Sequence, residues 1–143
     1  MTIRDTGAGA APEIRVENDI VVHDLTGISH LSLELMSTLY KQRVHRAGMS
    51  PKPVAIIATD VLTVDFEVQI YASNPLVQAS TRAVAVIGDS FMLQHLTSMF
   101  LSYHAPAYPV RLFGHYDDAM QWLSGGNPVN AEDEIVGDKE VPG

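Results

Sequence analysis

The chain has no cysteine among its 143 residues, which excludes disulfides, thiolate nucleophiles and cysteine-ligated zinc and fits a reducing compartment. Basic residues are scarce. Nine Lys and Arg stand against 17 Asp and Glu, and the resulting net charge of −8 repels phosphate backbones and anionic lipids. Neither nucleic acid nor a membrane is therefore expected as a partner. No apolar run approaches the roughly 20 residues that span a bilayer. The start, Met1-Thr2-Ile3-Arg4-Asp5-Thr6, lacks the basic and apolar regions of a signal peptide, so a cytoplasmic location is the expectation. There is no glycine-rich phosphate loop: Gly88 stands alone after a strand, and no strand precedes Gly125-Gly126. His23, His30, His45, His95, His104 and His115 never fall at the i, i+2 or i, i+4 spacing that points two imidazoles at one ion. No metal and no cofactor is expected.

What is present is apolar enough for one continuous core, with hydrophobic residues making up 46% of the chain. Residues 1–12 enclose Gly-Ala-Gly-Ala-Ala-Pro and show no hydrophobic period, which predicts a flexible leader. Residues 125–143 hold Glu132, Asp133, Glu134, Asp138 and Glu140 against a single Lys139, the composition of an acidic, disordered tail. One domain is expected between them, over residues 13–124. The chain shows no internal repeat.

Within that domain the first signal is a hairpin of Glu13–Val16 and Ile20–Leu25, turning at Glu17-Asn18-Asp19, where Asn and Asp tolerate positive φ. A helix follows, capped by Ser32, with Leu31 and Met36 placed as a hydrophobic staple. Leu33, Met36, Tyr40, Val44 and Ala47 mark its buried face, and Gly48 and Pro51 stop it. Lys41, Arg43 and Arg46 near its end are read as cations complementing the helix dipole. Val54–Ala58 reads as a buried strand, and Asp65 as the cap of a second helix that ends before Asn74-Pro75.

The clearest block runs from Arg82 to Leu123 as strand, helix, strand, helix. Arg82-Ala83-Val84-Ala85-Val86-Ile87 is followed by a helix with Asp89 as cap and Met92, Leu96, Met99 and Tyr103 as its apolar stripe, ending at Ala105-Pro106. His95 lies on that helix's flank. Val110–Phe113 precedes a last helix with His115 at the cap position and Asp117 and Asp118 in the first turn, where the macrodipole favours negative charge. Buried strands alternating with amphipathic helices imply a parallel sheet. Right-handed crossovers put the helices of consecutive units on one face unless the strand order reverses.

Lys52-Pro53-Val54-Ala55-Ile56-Ile57-Ala58, Arg82 through Ser90, Pro109-Val110-Arg111-Leu112-Phe113 and Asp118-Ala119-Met120-Gln121-Trp122-Leu123 together resemble the STAS/SEC14-like (SpoIIAA-like) superfamily. The resemblance covers about residues 13 to 123 and is greatest to small bacterial members of unassigned function. It implies an α/β fold, a single-domain β-α superhelix. Its mostly parallel sheet would have about five strands, with the N-terminal one antiparallel at an edge, and about four helices. Regulatory members carry an Asp-Ser-Ser-Gly turn whose first Ser is phosphorylated. Here Asp65 matches, but Phe66 stands at the phosphoacceptor position and Val68 replaces the Gly, so the resemblance does not carry the phosphoserine switch.

Gly88-Asp89-Ser90-Phe91 places a serine hydroxyl at a strand-to-helix turn, near free amides, and resembles the Gly-Asp-Ser-Leu block of a hydrolase family. That family has the block near its N-terminus and an Asp-x-x-His after it; neither holds here. No catalytic constellation is found, and a Ser90-dependent hydrolase is the weakest of three functions. The first is a non-enzymatic regulatory or interaction domain that meets a protein partner or a second copy through the turns at the carboxyl ends of the parallel strands. Asp60, Thr63, Asp65, Asp89 and Ser90 are its candidate face, with Thr63→Ala and Ser90→Ala expected to leave folding nearly unchanged. The alternative is binding of a small apolar ligand or lipid fragment, as the SEC14-like side of the resemblance implies, unless Leu96, Met99 and Phe100 fill the space.

Overall fold

In the computed structural model, which describes residues 12–104 and 107–125, the hairpin forms where its turn residues require it. β1 (Glu13–Glu17) and β2 (Ile20–Asp24) pair antiparallel around Asn18 and Asp19, whose φ values of 53° and 69° are left-handed. Next come β3 (His30–Leu31) and α1 (Leu33–Ala47). Ser32 caps α1 by accepting from the Leu35 amide at 3.1 Å, and Gly48 ends it at a φ of 80°. Then follow β4 (Lys52–Ile57), β5 (Thr63–Val64), α2 (Phe66–Ala72), α3 (Pro75–Ala79) and β6 (Thr81–Ile87). The chain continues through α4 (Phe91–His104), β7 (Val110–Phe113) and α5 (Tyr116–Ser124).

The main sheet has the order β1-β2-β4-β6-β7, parallel throughout except for β1. No reversal interrupts the parallel strands, so crossovers of one hand carry α1, α2, α3 and α4 to the same face. The strand alternation sorts the side chains accordingly. Val22, Ala55 and Ala85 meet α5 through Trp122, Ala119 and Leu123 on one face. Val21, Val54 and Val84 face the other way, on the side where Leu39 of α1 and Leu93 of α4 also pack.

Five helices stand among the described residues where four were expected, because Asn74-Pro75 begins a helix as well as ending one. The Asn74 side chain accepts from the Leu76 amide at 2.8 Å, and Pro75 occupies the first helical position, where its missing N–H costs nothing. β3 and β5 form a second, two-stranded parallel ladder that the sequence pattern did not announce.

Two helix faces are turned relative to expectation. On α4, Leu93 is buried and Met92 is 44% exposed. The reason lies at Gly88, where an added Cβ would collide with Leu93 Cδ2: the missing side chain makes the space Leu93 occupies. On α1 the buried positions are Leu39 and Arg43, while Leu33 is exposed. The leader through residue 11, the turn at Ala105-Pro106, the Tyr103 side chain and the tail from residue 126 lie outside the described residues.

Candidate functional site

Between the sheet and helices α1 to α4 lies a partly enclosed cavity of about 180 Å³. Its walls are mostly aliphatic: Val54, Ile56 and Val86 from the sheet, Leu39 from α1, Val68 from α2 and Leu96 from α4. Strand alternation places a histidine among them. Val22 points to the α5 face, so His23 points with Val21 to the cavity side.

Arg43 brings a charge to this wall and overturns its expected role. It is 4% exposed and does not sit among the solvent-facing cations at the helix end. Its Nη2 donates to the Ser80 carbonyl at 2.9 Å, to Ser80 Oγ at 2.8 Å and to Thr81 Oγ1 at 2.9 Å. The guanidinium lies 5.0 Å from the centre of the Tyr40 ring. Every one of these partners is neutral. Burial lowers the pKa of Arg43, an effect that Tyr40, Tyr108 and Tyr71 oppose.

Among the described residues, three buried side-chain atoms have no hydrogen-bond partner: Arg43 Nε, His23 Nδ1 and Gln69 Oε1. All three side chains line the cavity. Burial, and then the charge of Arg43, bring the His23 pKa down to about 4, so the ring is neutral at pH 7. Tyr108, also on the wall, donates to the Ala72 carbonyl at 2.9 Å and is pushed up to about 12 by burial.

The five residues expected at the turns are mostly engaged within the fold. Asp60 Oδ2 accepts from the Gly27 amide at 2.7 Å. Thr63 Oγ1 lies 2.6 Å from His30 Nδ1, and Asp65 Oδ1 lies 3.0 Å from His30 Nε2, so His30 joins the two. His30 and Thr63 are register partners in the β3–β5 ladder, and the contact follows from that pairing. Asp65 stands at the cap position of α2 without a side-chain bond there. Its Oδ2 instead accepts from the Leu33 amide at 3.0 Å, in the first turn of α1. Ser90, not Asp89, caps α4 by accepting from the Leu93 amide at 3.0 Å, while Asp89 is exposed. The structure thus joins Thr63 to Asp65 and leaves Asp60 and the Asp89–Ser90 turn in separate local contacts.

The same end of the domain carries exposed apolar side chains: Leu62, Phe66 and Met92, with Phe91 at 81% exposure. Among the described residues no group of His, Asp or Glu is arranged to hold a metal ion. None of their helices is long and apolar enough to cross a membrane.

The sequence pattern did not mark His23, Arg43 and Gln69 as site residues. A histidine inside an apolar strand run, Ile20-Val21-Val22-His23, and an arginine four residues beyond Leu39 on a buried face were the available signals.

The family described as Domain of unknown function (DUF7793) matches residues 14–126. A crystal structure of an uncharacterized protein of the DUF3478 family from Shewanella loihica PV-4, described as having a SpoIIAA-like fold, aligns with a TM-score of 0.55. The alignment covers 85% of this chain and 99% of that one at 16% identity, a likeness of fold. No curated protein matches the chain.

Proposed function

This chain belongs to the DUF7793 family, and from that premise we propose that it is a binding module for a small molecule with an apolar body. The cavity of about 180 Å³ between the sheet and four helices carries this reading. An engineered apolar cavity of about 150 Å³ stays dry and takes up benzene, so a natural one slightly larger has room for a single ring or a short branched chain. The module acts by binding, without a chemical step. Ser90 is engaged as a helix cap, and no histidine among the described residues hydrogen-bonds it. The phosphoserine switch is absent from this reading, because Phe66 stands at its position and the Thr63 hydroxyl is paired with His30. A cytoplasmic setting belongs to the same proposal, supported by the cysteine-free composition.

A second reading, contact with a protein partner or a second copy at the turns, is favoured by the exposed Leu62, Phe91 and Met92 beside Asp89 and Ser90. A native mass spectrum of the full chain distinguishes the two. The binding module is expected to carry an adduct of small mass, absent from a Val68→Phe variant that fills the cavity. A partner chain or dimer peak supports the second reading. A clean mass, together with no rise of Tm in toluene, overturns the first.

A further inference from the structure

We propose that the cavity selects an apolar monocarboxylate about one ring in size and holds its carboxylate against Arg43. This rests on the binding-module reading and names the class of its ligand. Arg43 is a cation at 4% exposure that pairs with no carboxylate among the described residues. Buried charges are ordinarily paired, and one held only by neutral oxygens is costly. Its three hydrogen bonds all leave from Nη2, and Nε keeps an unused donor.

The unused capacity is not confined to that residue. His23, 6% exposed, and Gln69, 8% exposed, each leave a polar atom unpaired, and they come from β2 and α2 while Arg43 comes from α1. Three elements therefore bring unpaired polar atoms to one mostly apolar cavity, where buried polar groups are ordinarily satisfied. A water molecule would pair such atoms without supplying the missing negative charge. A carboxylate does both: it accepts from Arg43 Nε, and from His23 when the neutral ring carries its proton on Nδ1. Gln69 Oε1 accepts from a hydroxyl on the ligand, or the amide turns over and donates. One arginine matches one charge, and the cavity volume limits the body to a ring or a short branched chain.

Benzoate, benzamide and toluene, titrated separately into the full chain by calorimetry, test the inference. Benzoate is expected to bind at least tenfold more tightly than the nearly isosteric, neutral benzamide. In Arg43→Met that preference should vanish while toluene binds as before. Equal affinities for benzoate and benzamide, or a preference that survives in Arg43→Met, overturn the assignment. If toluene and benzamide bind and benzoate does not, the carboxylate falls and the apolar binding module stands; if none of the three binds at millimolar concentration, both fall. Should Arg43→Met fail to fold, the ratio of benzoate to benzamide on the unaltered chain decides by itself.

Discussion

His23 shows how one side chain couples the cavity to solution conditions. Its pKa is about 4 in the folded chain, against roughly 6.5 for an unperturbed histidine. Between those values the unfolded chain binds more protons than the folded one. The stability that depends on a neutral His23 is therefore complete above about pH 6.5 and declines as pH falls toward about 4. The loss between pH 7 and pH 5 is about 2 kcal/mol. Urea unfolding at the two pH values should show a drop in the wild type that is smaller by about that amount in His23→Gln. An equal drop in both proteins would mean that other groups carry the acid sensitivity. Position 23 was legible only as a histidine in an apolar strand; that it lies beneath α1 and near Arg43 required the sheet register.

At the scale of elements, caps decided details that apolar periodicity left open. Two adjacent residues, Asp89 and Ser90, were both chemically able to cap α4, and the hydroxyl of Ser90 is the one that reaches an amide. Ser90→Ala is accordingly expected to cost about 1 kcal/mol, the usual worth of an N-cap, rather than to be silent. A loss below about 0.3 kcal/mol in chemical unfolding would show that another group takes over the Leu93 amide. Asp65 illustrates the same limit across a longer distance. It precedes α2 and looks like its cap, yet its carboxylate serves α1 because the β3–β5 ladder brings the two helix starts together. Met92 and Leu93 were equally apolar on paper, and the space over Gly88 selected Leu93. The hairpin and the strand Lys52–Ile57 were legible because Asn18-Asp19 and the continuous apolar run Val54–Ala58 are local signals.

For the whole molecule, the sheet separates two cores with different tasks. Trp122 packs 5.6 Å from Phe113, centre to centre, on the face opposite the cavity. Trp122→Ala should cost about 3–5 kcal/mol of a stability that for such domains is about 5–15 kcal/mol. The fraction that remains folded should bind toluene with unchanged affinity, since none of the described residues in the α5-side core lines the cavity. Thermal melting and calorimetry on the same preparation check both halves, and a large change in affinity would show that the two faces are coupled. The sequence by itself determined the hairpin, the alternation of strands and amphipathic helices that implies a parallel sheet, and the acidic balance, because these follow from local periodicity, turn chemistry and composition; the antiparallel strand at the sheet edge was implied by the resemblance, and β3, β5 and α3 carried no such local signal. Only the tertiary structure decided which polar residues became buried and left a cavity between them. His23, Arg43 and Gln69 lie far apart in the chain, and their meeting at one cavity depends on how α1 and α2 settle over β2, a property of packing that no single segment encodes.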